Sequence, residues 1–248
     1  MDSYSLLINI GSILGILMFF SLCKRESKSW KKALVVLLLS IVVIETGSFA
    51  GKLVRLLSYG VEIDLRKIFI EDHGTHFIGR VIFTVTVFPW LYRLLFCGTK
   101  KEWENYLDLL CIFMAFQHIF NRAACLSYGC CMGRFYKGPF AFQYFSDKGT
   151  GPGYSYSVYP TQLFEMACMI LLLALLFVLY RKKKRLSSVF CSEFSVTIFL
   201  SEFMMDKQGT ILIFGFSVIQ FAAILLLVIA FLYFIVHKKM DCSRLFDG

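Results

Sequence analysis

Long apolar runs recur along almost the whole chain, and no other feature of the sequence constrains its fold as strongly. Seven runs approach the length needed to cross a membrane: 4–23, 33–58, 76–97, 106–124, 160–180, 189–205 and 210–236. A helix of about 20 apolar residues spans the hydrocarbon core of a bilayer. The succession therefore predicts an all-α, polytopic membrane protein with about seven transmembrane helices. The sixth run is short and carries Glu193 and Glu202, so it is the least typical span.

The loops between these runs differ in charge from one side to the other. Lysine and arginine concentrate after the first, third, fifth and seventh runs and are fewer after the others. Since cytoplasmic loops are the ones enriched in these residues, the bias predicts an N-terminus outside and a C-terminus in the cytoplasm. The same bias accounts for the net charge of +9 without a nucleic-acid partner. No internal repeat divides the chain, so residues 1–248 are interpreted as one integral membrane domain.

The end of the fourth run holds the leading candidate for a functional residue. Residues 121–134 read N-R-A-A-C-L-S-Y-G-C-C-M-G-R and open a polar segment, 125–159, on the predicted outer face. A charged side chain facing lipid costs on the order of 2–3 kcal/mol at mid-bilayer, so Arg122 is expected to face a cavity or an anion. Gly129 and Gly133 allow a tight turn or the close approach of a ligand.

A second polar segment leads into the third run. It contains His73 and His76, and Arg80 lies one turn deeper. Histidine titrates near neutral pH, so His76 is a candidate general base, although both histidines also suit an interface, donating to a headgroup or carbonyl. Arg80 needs an anion or a carboxylate, and Glu45 and Glu202 are candidate partners for it or for Arg122.

Three of the nine cysteines fall close together, at 125, 130 and 131, and three interpretations stay open. A metal site with His118 as fourth ligand is the least favoured, because adjacent cysteines rarely bind one tetrahedral ion without strain, so no metal or other cofactor is expected. A disulfide joining two of them would be structural. A thiol whose pKa is lowered by the nearby arginines, Arg122 and Arg134, would be a nucleophile, and Cys130 is the candidate.

The fifth run starts with Y-P-T-Q-L-F-E, residues 159–165. Gln162 and Glu165 are three positions apart and share one face of the predicted helix. At an interface they would cap the helix, whereas across a cavity they would orient Arg122.

Two of these segments resemble signature motifs of the prolipoprotein diacylglyceryl transferases. Residues 121–133 resemble the family's G-R-x-G-N-F-x-N-G-E-x-x-G and match it at Arg122, Gly129 and Gly133. Residues 159–165 resemble its H-P-S-Q-L-Y-E, which is the more specific match. Residues 76–82 are similar to S-F-H-G-G-L-I.

Towards the C-terminus, residues 202–205 and Gln220 look like the family's E-F-x-R and a later glutamine. The chain departs from the family at four functional positions: the asparagine falls on Cys125, the glutamate on Cys130, the histidine on Ile78 and the second essential arginine on Met205. Candidate replacements are His76 for the base and Arg80 or Arg134 for the arginine.

The resemblance implies a multi-pass enzyme of a bacterial plasma membrane. It would move a diacylglyceryl group from phosphatidylglycerol to a cysteine thiol of a lipoprotein precursor and release glycerol phosphate. The implied partners are a phosphatidylglycerol-like donor, a cysteine-containing protein or small-molecule acceptor, and membrane lipid.

The chemistry needs cations where phosphate charge develops, and a guanidinium meets phosphate oxygens with two parallel hydrogen bonds. The candidate catalytic residues are Arg122 for the phosphate, His76 as base and Cys130 as a nucleophile in a changed mechanism. The candidate substrate-binding residues are Arg80, Cys125, Gly129, Gly133, Arg134, Gln162, Glu165, Glu202 and Gln220.

Three other interpretations stay open. The departures from the family's motifs also fit a divergent paralogue with an altered substrate or lost activity. A lipid-processing enzyme of another kind would use Cys130 or Cys131 as a covalent acyl carrier. A non-catalytic membrane protein would use Arg122 and Arg80 only to hold a phospholipid headgroup.

Overall fold

The computed structural model describes residues 3–59, 77–145, 155–207 and 210–246. Seven α-helices make up most of these residues: α1 (Ser3–Arg25), α2 (Trp30–Tyr59), α3 (Phe77–Phe96), α4 (Lys100–Tyr128), α5 (Thr161–Arg181), α6 (Ser187–Met204) and α7 (Val218–Phe246). Within the described ranges, six of the seven, all but α6, are long and apolar enough to cross a membrane. The predicted helical, polytopic membrane fold is therefore confirmed.

α6 belongs to the core of the bundle although, of the seven helices described, it is the one that is not a candidate membrane span. Phe190 and Phe194 lie on its buried face, and their rings stack with centroids 5.7 Å apart. The ring of Phe194 also lies 5.3 Å from the imidazole of His118 on α4. α6 thus supplies an aromatic wall to the middle of the molecule.

α4 begins at Lys100, six residues before the predicted start of the fourth run at 106. Its polar first turn is stabilised by Glu102, whose carboxylate accepts hydrogen bonds from the backbone N–H of Thr99 at 3.2 Å and from Lys32 Nζ at 2.9 Å. A hydropathy pattern misses this turn because the residues are polar, while the capping bonds still favour helix.

The seventh run was predicted to start at 210, and this boundary was wrong. β3 (Leu212–Ile213) and β4 (Phe216–Ser217) form an antiparallel hairpin before α7. The turn between them places Phe214 and Gly215 at φ 50° and 82°, the backbone that two-residue hairpins require. α7 then begins at Val218.

A second hairpin lies in the connection from α4 to α5, where β1 (Phe142–Phe145) pairs with β2 (Ser155–Val158). The same connection is joined to the end of α6 through an isolated bridge between Gly133 and Met205. The ends of α4 and α6 and the start of α5 therefore meet at one end of the bundle. We call it the α4–α5 end, and the opposite end, where α3 leads into α4, the α3–α4 end.

α2 and α3 cross at close range through two glycines. A Cβ atom at Gly79 would lie 2.7 Å from the carbonyl oxygen of Gly47, and one at Gly47 would lie 2.8 Å from the Cα of Arg80. Small residues permit such close contact between membrane helices. The crossing places the Arg80 side chain against α2, where its Nε donates a hydrogen bond to Ser48 Oγ at 2.6 Å.

Candidate functional site

A buried ion pair joins α4 to α5 at the α4–α5 end. Arg122 Nε donates to Glu165 Oε2 at 2.7 Å, and His118 Nε2 lies 3.0 Å from the same oxygen. The side chain of Arg122 is 16% exposed, whereas those of Glu165 and His118 are almost fully buried. His118 and Arg122 are four residues apart, so they share the face of α4 that meets α5. Arg122 therefore faces a carboxylate, and the acid is Glu165 rather than Glu45 or Glu202.

The ion pair leaves part of the Arg122 guanidinium for another anion. The contact with Glu165 uses Nε, so the two terminal nitrogens lie outside it. Burying a guanidinium is costly unless a counter-charge is near, and Glu165 supplies that charge. The carboxylate thereby fixes the direction in which the arginine points.

His118 helps to hold the Glu165 carboxylate. Its ring lies 4.7 Å from the ring of Phe77 and is enclosed by Phe194 on another side. Its Nε2 lies 3.0 Å from Glu165 Oε2 and 3.4 Å from Arg122 Nε. In the tautomer that donates from Nε2 to the carboxylate, Nδ1 is the unprotonated nitrogen. Within the described ranges, Nδ1 has no hydrogen-bond partner. Among the described residues, the group of potential metal ligands that converges here consists of the three cysteines and does not include His118.

The three neighbouring cysteines converge beside this ion pair. Cys125 lies in the last turn of α4 rather than in a loop, and the helix ends where Gly129 adopts a left-handed conformation with φ 75°. The backbone N–H groups of Gly129 and Cys130 both donate to the carbonyl of Cys125, at 3.0 and 3.1 Å. This turn brings the sulfurs of Cys125, Cys130 and Cys131 within 4.8 Å of one another. All three cysteines are outside disulfides.

The predicted lowering of a thiol pKa by arginine is wrong for Cys130. A hydrogen bond with Cys125 acts to lower the pKa of Cys130, but contact with Cys131 and burial outweigh it and raise that pKa to about 11. Arg122 also acts to lower the pKa, with a smaller effect. The Cys130 thiol is thus mostly protonated at neutral pH.

Two side chains of α5 fix the backbone of the cysteine pair. Gln162 Nε2 donates to the carbonyl of Cys130 at 2.7 Å, and Thr161 Oγ1 donates to the carbonyl of Cys131 at 3.0 Å. Cys131 is held at φ 57°, a left-handed conformation that costs a non-glycine residue roughly 1–2 kcal/mol. The loop is therefore rigidly positioned over the start of α5.

Gly133 lies where the segments of this end are in closest contact. A Cβ atom there would collide with the carbonyl oxygen of Tyr159 and lie 3.0 Å from that of Met204. The N–H of Arg134 donates to the Met204 carbonyl at 2.8 Å, and the N–H of Tyr159 donates to the Arg134 carbonyl at 3.1 Å. Only glycine fits at position 133 without moving this backbone.

An open cleft of about 410 Å³ lies beside that junction. It is lined by Arg134, Phe203, Met205, Asp206 and Lys207. The guanidinium of Arg134 lies 5.4 Å from the centre of the Tyr159 ring. The cleft thus combines two cationic side chains and one acidic side chain with apolar ones, so its lining carries a net positive charge and an apolar part.

Glu202 and Gln220 both interact with Lys207, one of the residues that line this cleft. Ser217 and Gln220 form a reciprocal cap at the start of α7: the Ser217 N–H donates to Gln220 Oε1 at 2.9 Å and the Gln220 N–H donates to Ser217 Oγ at 3.2 Å. Ser217 Oγ donates to Glu202 Oε2 at 2.7 Å, and Lys207 Nζ donates to Gln220 Oε1 at 3.1 Å. Glu202 also interacts electrostatically with Lys207 and Arg122, which links the cleft to the buried ion pair.

Arg80 lies on the other side of the cysteine cluster. It interacts electrostatically with Glu45, as predicted for a partner, and with Tyr4. Tyr4 in turn interacts with Cys125, Cys130 and Cys131, and its ring packs edge-on against that of Tyr128 at 5.6 Å. Arg80 is therefore part of the same end of the bundle without lining the cleft.

The structure brings together most of the residues that the sequence nominated, but their individual roles in binding or catalysis stay predictions. They form a group around the ion pair, a loop and a third group: respectively Arg122, Cys125, Cys130, Gln162 and Glu165; Gly129, Gly133 and Arg134; and Arg80, Glu202 and Gln220. His73 and His76 lie outside the described residues.

Sequence reasoning missed the part played by Thr161 and Lys207, and it missed the contact of His118 with Glu165. The spacing of His118 four residues before Arg122 was a usable signal, because it puts both on one helical face. Thr161 and Lys207 gave no comparable signal, since their contacts depend on how separate segments meet.

Comparison with known proteins gives an independent view of the whole chain. A family model described as prolipoprotein diacylglyceryl transferase matches residues 1–236. A search of curated proteins found no match. Every site residue named above lies within the matched range.

Proposed function

The chain belongs to the prolipoprotein diacylglyceryl transferase family, a family of membrane transferases, and on that premise we propose that it transfers a diacylglyceryl group from phosphatidylglycerol to a cysteine thiol. The acceptor would be a lipoprotein precursor or a related cysteine-containing molecule. The donor would enter from the lipid of a bacterial plasma membrane. These assignments refine what the family match establishes, which is a multi-pass membrane protein of a transferase family.

One observation carries the proposal: Glu165 fixes the direction of the Arg122 guanidinium, and Glu202 links that arginine electrostatically to Lys207 in the cleft. Arg134 lines the same cleft. A phosphatidylglycerol headgroup is anionic, and its phosphate gains charge when it leaves. Preorganised cations lower the energy of such a step most when they need not move to meet it. Arg122 is therefore assigned the phosphate, through the terminal nitrogens that lie outside its ion pair.

The reaction is a displacement at carbon. The acceptor sulfur forms a bond to the glycerol carbon, the carbon–oxygen bond to phosphate breaks, and the electron pair goes to the phosphate oxygen. The thiol proton goes to a base, for which His76 stays the predicted residue.

Arg134 is the better of the two candidates to replace the arginine that the family motif has at Met205. It lines the same cleft as Met205, whereas Arg80 contacts Ser48 on α2. We assign Arg134 to the headgroup on this ground. Arg80 keeps its predicted substrate-binding role as a helper near the thiols.

The test is lipid transfer by the purified full-length protein in detergent, with isotope-labelled phosphatidylglycerol and a cysteine-containing peptide. Mass spectrometry of the peptide detects the added diacylglyceryl group. Arg122→Ala should reduce transfer by more than about 100-fold, the size expected for losing a charged contact to the leaving group. Arg93→Ala removes an exposed arginine at the α3–α4 end and should leave transfer unchanged.

Arg122→Ala leaves Glu165 buried without its counter-charge, so folding must be checked separately. Arg134→Ala removes a cation from the open cleft and should reduce transfer with little loss of thermal stability. Wild-type activity in a folded Arg122→Ala protein would remove Arg122 from the mechanism. Lipid binding with no product in any condition would support the non-catalytic alternative.

The acyl-carrier alternative rests on the same sulfurs, and the raised pKa of Cys130 makes it less favourable. A carrier would show a lipid-modified protein intermediate and lipid-competed trapping by iodoacetamide. Direct displacement shows neither.

A further inference from the structure

Three cysteine thiols lie close together at the α4–α5 end, and neither the family match nor the proposed transfer reaction explains this arrangement. We propose that Cys125, Cys130 and Cys131 form a three-thiolate site for a soft metal ion of the Zn²⁺ class. Their sulfurs lie within 4.8 Å of one another. Zinc–sulfur bonds of about 2.3 Å place tetrahedral sulfurs roughly 3.8 Å apart, so the cluster needs to close by only about 1 Å.

The local backbone removes the objection that adjacent cysteines cannot share one ion. Cys131 adopts the left-handed conformation, φ 57°, which turns its side chain out of the extended alternation that separates neighbours. The carbonyls on both sides are held by Gln162 and Thr161 of α5. Cys125 comes from a different element, the last turn of α4, and closes the third side of the cluster.

The surrounding charges also suit a metal thiolate. Three thiolates around a divalent ion carry a net charge of −1, which is costly to bury alone. Arg122 interacts electrostatically with Cys125 and Cys131, so its charge offsets the excess negative charge. Because each thiol loses a proton on binding, affinity should rise steeply with pH.

Among the residues that the structure describes, the ligand group consists of these three cysteines. Zinc held by three protein ligands keeps a fourth position for an external ligand, and a thiolate is a preferred one. The acceptor cysteine can occupy it: the S–H proton passes to the base of the proposed reaction, and the bound sulfur then attacks the lipid carbon as the carbon–oxygen bond breaks and phosphate leaves. This last step rests on the proposed function, whereas the metal site does not.

Metal binding is measured on full-length protein in detergent, reduced, stripped with a chelator and desalted. Elemental analysis after Zn²⁺ loading should give roughly one ion per chain, and Co²⁺ should give the near-ultraviolet absorption of cobalt–thiolate bonds. Cys130→Ser and Cys125→Ala should each weaken binding by more than about tenfold. Cys97→Ser, an exposed cysteine at the α3–α4 end, is the matched control and should bind like wild type.

The metal site is overturned if folded Cys130→Ser protein binds Zn²⁺ as tightly as wild type. It is also overturned if wild-type protein, with all its thiols shown by titration to be reduced, binds no Zn²⁺. The protein is also purified without reductant and its intact mass is measured. A mass lower by two hydrogens, assigned to these cysteines and resistant to mild reduction, would show a structural disulfide and overturn the metal site. Transfer by metal-free protein at the loaded rate overturns only the acceptor step. Zinc binding without any transfer activity overturns the proposed function and leaves the site standing.

Discussion

Each end of the bundle contains a cluster of buried charged residues, and the two clusters differ in what their carboxylates bind. At the α3–α4 end, Arg185 joins Glu104 and Asp108, with its Nη1 3.5 Å from Asp108 Oδ2. Asp108 Oδ1 accepts hydrogen bonds from the backbone N–H groups of Leu186 and Ser187, at 3.1 and 3.0 Å. This carboxylate therefore fixes the start of α6, where the helix dipole also favours a negative charge.

At the α4–α5 end, the carboxylate of Glu165 binds side chains, Arg122 and His118, instead of helix-start amides. Its neighbours are thiols, among them a cysteine in the left-handed conformation, and Glu202 links the ion pair electrostatically to Lys207 in the open cleft. The two clusters contain similarly buried acids. Burial of charge alone thus does not mark a functional site, and the distinguishing feature is an arginine whose contact with its acid uses Nε, leaving the terminal nitrogens outside the ion pair.

The sharpest test of this contrast compares Glu165→Gln with Asp108→Asn. Loss of the Glu165 charge leaves Arg122 buried without a counter-ion, which costs about 3–5 kcal/mol of unfolding free energy, and should abolish transfer. Asp108→Asn keeps an acceptor for the α6 amides and should cost less, with transfer retained in the folded protein. Thermal unfolding and the lipid-transfer assay measure the two effects. Equal loss of transfer in both folded variants would erase the distinction.

A glycine pair tests the close packing at the α4–α5 end. Gly133→Ala places a methyl group against the Tyr159 carbonyl and should cost about 3 kcal/mol, at the upper end for overpacking. Gly215→Ala meets no atom within 4 Å and should cost only the roughly 1 kcal/mol of its left-handed backbone. Melting temperatures in one detergent provide the comparison. A cost for Gly215→Ala as large as that for Gly133→Ala would contradict it.

The cysteines of the two ends should react differently with iodoacetamide. Because the Cys130 pKa is raised to about 11, its thiolate fraction at pH 8 is roughly 100-fold below that of an ordinary thiol. Alkylation of Cys130 in metal-free protein should be slow at pH 8 and rise about tenfold per unit up to pH 10. Cys97 is exposed and should react faster at pH 8. Peptide mapping by mass spectrometry follows each site, and a pH-independent rate at Cys130 would refute the prediction.

The smallest expected effect concerns the hydrogen bond from Thr161 to the Cys131 carbonyl. Thr161→Val keeps the shape and removes the donor, which should cost about 1 kcal/mol. Thr86→Val is the matched control, because the Thr86 hydroxyl bonds only within its own exposed turn of α3. Chemical unfolding should show a difference between the two variants, and metal affinity should fall only in the first.

Composition was sufficient to predict the helices wherever it changed abruptly. α1 and α5 begin and end within two residues of the predicted runs 4–23 and 160–180. The prediction of where α7 starts failed because the residues of the β3–β4 hairpin are as apolar as the helix that follows them. The hairpin is distinguished by a turn with positive φ at Phe214 and Gly215, and a phenylalanine in the sequence does not predict such a turn.

The candidate functional site was also predictable only in part, because much of it depends on local backbone conformation and on contacts between distant segments. The cost of burying Arg122 indicated that it needs a partner, and helical spacing offered Glu165 as one of several acids. Convergence of the sulfurs depends on Cys131 at a left-handed φ, which sequence preferences argue against. The cleft depends on the bridge from Gly133 to Met205, two residues far apart in the chain.

The backbone bonds that join residues 133–134, Tyr159 and Met204 have a consequence for how the protein responds to its lipid surroundings. They connect the ends of α4 and α6 with the start of α5 beside the cleft, so a change in the tilt of these helices is transmitted to its backbone. Hydrophobic mismatch with the surrounding hydrocarbon layer is one cause of such a change. We therefore expect the shape of the cleft to respond to the acyl-chain length of the host bilayer.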